Sequence, residues 1–143
     1  MSLMIIAGSR SARECDVRNG ISGIPWISEV TKVISGNAIG ADRFGELWAA
    51  ENGLEVIKFN PDWEMFGRSA GIRRNAEMAQ NADSLLACFD GVSRGTDQMI
   101  KIAQRYNLKT AIYFYKENRY EFLQERKVIK QPSLFELSAA LSF

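Results

Sequence analysis

Short runs of apolar residues recur along the first 115 positions of the chain, separated by longer segments of mixed character. The runs show little alternation between apolar and polar positions, and the first four end at glycine, asparagine or aspartate. Apolar runs that stop at turn-forming residues are typical of strands buried on both faces of a sheet. We therefore predict strands at 3–7, 31–35, 55–59, 84–89 and 110–115.

The segments between these runs place apolar residues at the three- and four-residue spacing of helices. This spacing predicts helices at about 41–52 and 71–81, and another that begins near Gly95. Between the first two strands the helical signal is weaker, because two glycines interrupt it and Pro25 ends it. The alternation predicts an α/β fold, in which helices cover both faces of a parallel sheet of about five strands.

From residue 116 onwards the pattern changes, and we predict a C-terminal helical extension at about 116–143. Its main signal is a capping box at 132–136 followed by an apolar stripe of Leu134, Leu137 and Leu141. Packing on the core and burial in a homo-oligomer through this C-terminal helix would both explain the stripe. The length of 143 residues suits a single domain.

Composition excludes several kinds of chemistry. The chain has no histidine, which excludes Ser-His-Asp and Cys-His nucleophiles and imidazole acid–base catalysis. The 18 Lys and Arg nearly balance the 17 Asp and Glu, and a net charge of +1 argues against nucleic acid as a partner. Cys15 and Cys88 lie far apart in the sequence and do not form a metal-binding pair, so we expect no metal site and reduced thiols. We also expect no cofactor. With neither a signal peptide nor a membrane-spanning run, we expect a cytoplasmic protein without membrane contact.

Glycine, serine, arginine, asparagine and aspartate gather in three loops, at 8–10, 36–43 and 90–96, each directly after a predicted strand. The carboxyl ends of parallel strands meet at one edge of a sheet, where ligands bind. Glycines let backbone N–H groups approach a ligand, and a following helix N-terminus favours an anion. Arg10 and Arg94 add guanidinium groups to this edge. One such loop would be explained as a turn or cap, but three together predict a phosphate-binding site.

The segment at 61–71 is too polar and too rich in glycine for the interior of a helix. Trp63 or Phe66 could stack on a base, although filling a gap in the core is the interpretation we favour for each. Arg73 and Asn75 follow at a helix start, and for them we favour contact with phosphate or ribose over ion pairs at the surface.

Four ordered motifs within residues 4–115 resemble the YspA-like branch of the SLOG superfamily, which joins the DNA-processing protein DprA/Smf with the LOG phosphoribohydrolases. The motifs lie at 7–10, 35–43, 62–78 and 90–100. The resemblance implies a Rossmann-like doubly wound fold that binds a nucleotide or a nucleotide-derived ligand. By position it implies the following binding residues: Gly8, Ser9, Arg10, Gly36, Asn37, Gly40, Asp42, Arg74, Asn75, Ser93, Arg94, Gly95 and Thr96.

One departure from the LOG pattern bears on catalysis. LOG hydrolases carry a Gly-Gly-x-Gly-Thr-x-x-Glu signature, and this chain has Met99 in place of its glutamate. Cleavage of an N-glycosidic bond usually needs a carboxylate to activate water. Asp42 and Asp62 are the main candidates for a catalytic carboxylate, and Glu64 and Asp90 are further candidates. Two functions follow: nucleotide binding, as in a sensor, ranks first, and nucleoside-phosphate hydrolysis second.

Overall fold

The computed structural model describes residues 2–123, which form one six-stranded sheet with helices on both faces. The strands are β1 (Ser2–Gly8), β2 (Val30–Ser35), β3 (Glu55–Lys58), β4 (Ser84–Phe89), β5 (Lys109–Phe114) and β6 (Arg119–Leu123). The helices are α1 (Glu14–Ser22), α2 (Ala41–Glu51), α3 (Trp63–Phe66), α4 (Ala70–Gln80) and α5 (Arg94–Arg105), with 3₁₀ turns at Ile27–Glu29 and Gly67–Ser69.

The strand order is β3-β2-β1-β4-β5-β6, with β1 to β5 parallel and β6 antiparallel to β5. The chain runs outward from β1 to β3 on one side, and then returns to β4 on the other side of β1. The order therefore reverses between β1 and β4, which are neighbours paired from Met4–Ser84 to Gly8–Cys88. In an open α/β sheet such a reversal leaves a crevice at the carboxyl ends of the two strands.

Each face of the sheet carries its own apolar cluster. Helices α1 and α2 cover Met4 and Ile6, and helices α4 and α5 cover Ile5 on the opposite face. These three side chains are fully buried, because the strand alternates between two covered faces. This burial on both sides explains why the central strands read as unbroken apolar runs.

The five predicted strands and the Rossmann-like α/β fold class are confirmed, but the helical extension from 116 is corrected at its start. Residues 119–123 form β6, which returns antiparallel along β5 after a tight turn in which Asn118 has a φ of 48°. The ring of Tyr120 packs on that of Tyr113 with centroids 4.7 Å apart. Alternating aromatic residues therefore stabilise a strand here. The predicted helix with Leu134, Leu137 and Leu141 lies outside the described residues.

The segment at 61–71, expected to be non-helical, contains the short helix α3. Asp62 accepts a hydrogen bond from the backbone N–H of Met65 at 3.0 Å, which caps the first turn. Gly67, with a φ of 54°, follows directly and ends the helix. The polar and glycine residues that argued against a helix interior therefore lie at the two ends of this short helix.

Within residues 2–123 no helix is long and apolar enough to cross a membrane.

Close packing of α2 on β1 depends on Gly45. A Cβ atom at this position would lie 2.6 Å from Cγ2 and 2.8 Å from Cβ of Ile6. Both atoms belong to a fully buried, β-branched side chain, which cannot rotate away without moving its neighbours. Glycine therefore sets the distance between this helix and the sheet.

We expect Gly45→Ala to lower the free energy of unfolding by roughly 1–3 kcal/mol, because the added methyl overpacks the core. Urea denaturation measures the change. Gly95→Ala in α5 is the matched control, since no atom lies within 4 Å of its added Cβ and stability should hold or rise slightly. Equal losses in both variants would show that Gly45 has no special packing role.

Candidate functional site

A cavity of about 570 Å³ lies at the carboxyl ends of β1 and β4, where the strand order reverses. This site cavity is bounded by the loops that follow the two strands, the start of α2, helix α4 and the first turn of α5. Its volume is in the range of small-molecule binding sites. Its wall consists of Ala7, Gly8, Ser9, Arg10, Ser11, Ala38, Asp42, Arg74, Asn75, Met78, Ser93, Arg94, Gly95, Thr96 and Met99.

The floor of the site cavity is the contact between the ends of β1 and β4. A Cβ at Gly8 would lie 2.2 Å from the carbonyl oxygen of Cys88 and 3.0 Å from Cβ of Ala41, so no larger residue fits. The backbone N–H of Ser9 donates to the Cys88 carbonyl at 3.0 Å. Glycine thus allows β1, β4 and the start of α2 to meet at one point.

Ser9, Asp90 and Ser93 join the two loops above this floor. The hydroxyl of Ser9 accepts a hydrogen bond from the backbone N–H of Asp90 at 3.1 Å, and its oxygen lies 3.0 Å from Ser93 Oγ. Asp90 Oδ1 accepts from the backbone N–H groups of Val92 and Ser93, and Oδ2 accepts from the Ser93 hydroxyl at 2.8 Å. The network fixes the loop that leads into α5.

Asp90 has the properties of a structural anion. Its partial burial acts to raise the pKa, but hydrogen bonds from Val92, Ser93 and Ser9 stabilise the ionised form and lower the pKa to about 2. Its oxygens are already occupied by these donors, and a carboxylate with so low a pKa is a weak base. Asp90 is therefore a poor candidate for the activation of water.

Opposite this network, Asp42 and Arg74 lie against Gly36. Arg74 Nη1 donates to the carbonyl oxygen of Gly36 at 2.7 Å, and Asp42 Oδ2 accepts from the backbone N–H of Ala38 at 3.2 Å. A Cβ at Gly36 would be within 3.0 Å of both Arg74 Nη1 and Asp42 Oδ2. The glycine therefore leaves the space in which the carboxylate and the guanidinium face each other.

Burial dominates the electrostatics of this pair. Asp42 is only 6% exposed, and desolvation raises its pKa to about 6, although the Ala38 N–H and the charge of Arg74 act in the opposite direction. Burial also lowers the pKa of Arg74, while the Asp42 charge raises it. Asp42 thus titrates close to physiological pH, unlike Asp90 in the loop that leads into α5.

Three donor groups in the wall have no partner among residues 2–123. The guanidinium groups of Arg10 and Arg94, both exposed, make no hydrogen bond or ion pair there. Asn75 is only 7% exposed, and its Oδ1 accepts from Arg74 Nε at 2.9 Å, which leaves Nδ2 without a partner in the described chain. Within the described chain Asn107 Oδ1 is the buried side-chain atom that lacks a partner, so the Asn75 donor is open to the cavity, where water or a ligand can satisfy it.

Ten of the thirteen residues predicted to bind the ligand line the site cavity: Gly8, Ser9, Arg10, Asp42, Arg74, Asn75, Ser93, Arg94, Gly95 and Thr96. Gly36 and Asn37 line a second cavity beside it, the adjoining cleft. Gly40 lies beneath the loop after β1, where its Cβ would be 2.6 Å from the Arg10 carbonyl oxygen, and its φ is 84°. Its place indicates a backbone role.

Four other residues lie elsewhere than expected. Asp62 and Glu64 are exposed on α3 outside the site cavity, so neither faces the site as a catalytic carboxylate. Arg73, expected to reach phosphate or ribose, instead lies 4.3 Å over the ring of Phe66 and donates to Ser69 Oγ. Trp63 fills no gap in the core, because it is 60% exposed.

Met78 and Ser11 line the site cavity and were not among the predicted binding residues. Asn75 and Met78 are three residues apart and therefore share one face of α4. This spacing could have predicted that Met78 faces the cavity together with Asn75. Nothing in the sequence distinguished Ser11 from other loop serines.

Within the described chain no three His, Cys, Asp or Glu residues cluster closely enough to hold a metal ion.

We expect Asp90→Ala to destabilise the protein by about 1 kcal/mol at neutral pH, because it removes the carboxylate that accepts hydrogen bonds from Val92 and Ser93 and holds the loop before α5. Since the pKa of Asp90 is lowered on folding, its stabilisation is present above pH 4 and is lost as the pH falls towards about 2. The difference in unfolding free energy between wild type and variant, measured by urea denaturation across this range, should shrink accordingly. A difference that does not change with pH would contradict this role, and Asp90→Asn, which keeps one acceptor oxygen, should lose less.

Comparison with known proteins gives a family match and one partial relative. The model of the YspA, cpYpsA-related SLOG family matches residues 26–66, which contain β2, the loop with Gly36, α2 and β3. The Gene 61 protein of Mycobacterium phage D29 is 38% identical over 79 residues, which cover 51% of this chain and 63% of that protein. The chain thus spans about three-fifths of this relative. No solved structure matches the chain significantly. The family match supports the assignment of this chain to the YspA-like SLOG family.

Proposed function

We propose that this protein binds a nucleotide or a nucleotide-derived small molecule, with a phosphate group held in the site cavity at the ends of β1 and β4. The observation that carries the proposal is the pair of exposed arginines, Arg10 and Arg94, which line the site cavity and have no partner within residues 2–123; Arg94 is also the first residue of α5. Two unpaired guanidinium groups beside a helix N-terminus form a favourable environment for a phosphate. Family membership supports a nucleotide-related ligand.

The first turn of α5 adds backbone donors to this environment. Ser93 precedes the helix, and the first N–H groups of any helix have no carbonyl partner within it. No atom lies within 4 Å of the position that a Cβ at Gly95 would occupy, so this side of the turn is open to the cavity. Thr96, in the same turn, also lines the cavity. The turn therefore suits an anion with several acceptor oxygens.

A thermal-shift screen tests the proposal, using nucleoside monophosphates, ADP-ribose, NAD and cyclic nucleotides, with mass spectrometry of each mixture afterwards. A compound that raises the Tm and is recovered intact supports a binding function and identifies the ligand. If no compound raises the Tm, the proposal is contradicted.

Arg94→Ala should reduce affinity for a phosphate-bearing ligand roughly 10- to 100-fold, the usual cost of losing a charge-assisted hydrogen bond. The Tm of the unliganded protein should stay the same, because Arg94 makes no hydrogen bond or ion pair to residues 2–123. Titration calorimetry and thermal melts measure the two effects. Arg105→Ala, in the last turn of the same helix, is the matched control and should alter neither. A fall in Tm with unchanged affinity would make Arg94 a structural residue.

Nucleoside-phosphate hydrolysis is the second candidate, and the state of Asp42 favours it. A carboxyl group buried in a cavity wall with a pKa of about 6 is the kind of group that accepts a proton from water near neutral pH. In this function Asp42 would activate the water that attacks the N-glycosidic carbon. Release of free base from a nucleoside monophosphate would be the direct evidence.

Asp42→Asn separates the two functions. If the protein only binds its ligand, the variant should keep or gain affinity for a phosphate at pH 7.5, because the substitution removes a negative charge from the cavity wall. If the protein is a hydrolase, release of base should fall to the background rate. Asp62→Asn is the matched control, since Asp62 lies outside the site cavity, and it should change neither binding nor release.

Asp42 should also give the wild-type protein a pH dependence of stability that Asp42→Asn removes. Folding raises the pKa of Asp42 from 3.8 to about 6, so ionisation in the folded state is unfavourable and stability falls as the pH rises between these values. Asp42→Asn should remove this fall and gain about 3 kcal/mol relative to wild type at pH 7, but little at pH 4. Urea denaturation at both pH values measures it. Equal effects at the two pH values would contradict the raised pKa.

A further inference from the structure

The adjoining cleft is continuous with the site cavity. It has a volume of about 860 Å³ and opens between the loop at 36–39, α3 and the first half of α4. The two cavities share the wall formed by Arg10, Ala38, Arg74, Asn75 and Gly95. A ligand held by an anionic group at this shared wall therefore has room for a second group in the cleft.

Trp63 lines the cleft, as does the exposed Arg68 nearby in the chain. The indole is 60% exposed, and its edge lies 3.6 Å from the position that a Cβ at Gly71 would occupy. Ile39, which is 61% exposed, and Ile72 line the same cleft. An exposed tryptophan beside apolar side chains offers a flat surface on which a planar aromatic group can stack.

Amide side chains provide the polar part of the cleft. Asn37 Nδ2 donates to Asn60 Oδ1 at 2.9 Å, and Gln98 also lines the cleft. Each carboxamide carries two donor hydrogens and an acceptor oxygen, so groups remain available for another partner after this bond is made. The edges of nucleic-acid bases present donors and acceptors that match carboxamides.

Asn75 lies where the two cavities meet. Its side chain is more than nine-tenths buried, it lines both cavities, and its Nδ2 has no partner among residues 2–123. A ligand that spans the shared wall would pass this donor. This donor, open at the wall that the two cavities share, is a second observation, independent of the tryptophan, that suits a bound polar group between the cavities.

We infer that the adjoining cleft is the subsite for the base of the bound nucleotide, with Trp63 as its stacking surface, while the phosphate lies in the site cavity. The inference rests on the proposed function and deepens it, because it fixes the direction in which the ligand lies. The sugar then crosses the shared wall beside Asn75. Trp63 is a specificity-determining residue in this arrangement, since only ligands with a planar aromatic group use it.

The test compares ribose 5-phosphate, which lacks a base, with the four common nucleoside 5′-monophosphates. Affinities are measured by calorimetry, and because the chain has three tryptophans, quenching of fluorescence in wild type that is lost in Trp63→Ala reports on this indole. Wild type should bind at least one nucleoside monophosphate more tightly than ribose 5-phosphate. Trp63→Ala should reduce that affinity roughly 5- to 100-fold and leave ribose 5-phosphate binding unchanged.

Two further variants control for indirect effects. Met65→Ala removes another exposed apolar side chain of α3, 73% exposed and outside the cleft wall, and should behave as wild type. Trp63→Phe keeps an aromatic face and should recover part of the lost affinity. Because Trp63 is exposed, neither substitution of it should lower the Tm of the unliganded protein.

The outcomes distinguish the inference from the function on which it rests. Equal binding of ribose 5-phosphate and of every nucleoside monophosphate would overturn the base subsite and leave phosphate binding intact. A preference for nucleotides that survives in Trp63→Ala would overturn the role of Trp63. Absence of binding by all the probes would overturn the proposed function, and the inference with it.

Discussion

The close approach of β1 to β4 at Gly8 is the constraint on which the rest of the site depends. A single Cβ there would collide with the carbonyl of Cys88, and the Ser9 N–H donates to the same carbonyl. Beyond this point the chain turns towards α1 on one face of the sheet and towards α5 on the other. Because the two loops diverge from a fixed origin, they leave a cavity between them whose floor is rigid backbone.

This geometry brings two carboxylates into one region and gives them opposite properties. Asp90 receives several donors from the loop that it organises, and its pKa lies near 2. Asp42 is more deeply buried and faces Arg74 across Gly36, and its pKa lies near 6. The two pKa values differ because several hydrogen-bond donors stabilise the ionised form of Asp90, whereas for Asp42 the cost of desolvation outweighs the donors that reach it. Asp90 therefore stabilises the loop, while Asp42 is the carboxylate in the cavity wall whose charge can change near neutral pH.

The sequence predicted the parallel strands well because burial on both faces leaves a continuous apolar run, which few other structures produce. It missed β6, because that strand lies at an edge and its aromatic residues alternate with polar ones over only five positions. The loops of the site were predictable from their composition, since glycine and small polar residues follow strand ends. Which side chains face the cavity was harder to predict: Arg73 and Arg74 are adjacent, yet one packs on Phe66 and the other reaches the Gly36 carbonyl.

The surroundings of Met99 explain why binding ranks above hydrolysis. The LOG signature places its glutamate at this position, but here the side chain is 2% exposed and belongs to the core cluster beneath α5. The cavity wall at this point is therefore apolar, and among residues 2–123 the carboxylate that lines the cavity is that of Asp42. One buried carboxyl that already accepts the Ala38 N–H provides fewer groups than the acid and base that glycoside hydrolysis commonly uses. The proposed phosphate binding requires none of these groups, because it would use the two arginines that lack a partner among residues 2–123 and the first turn of α5.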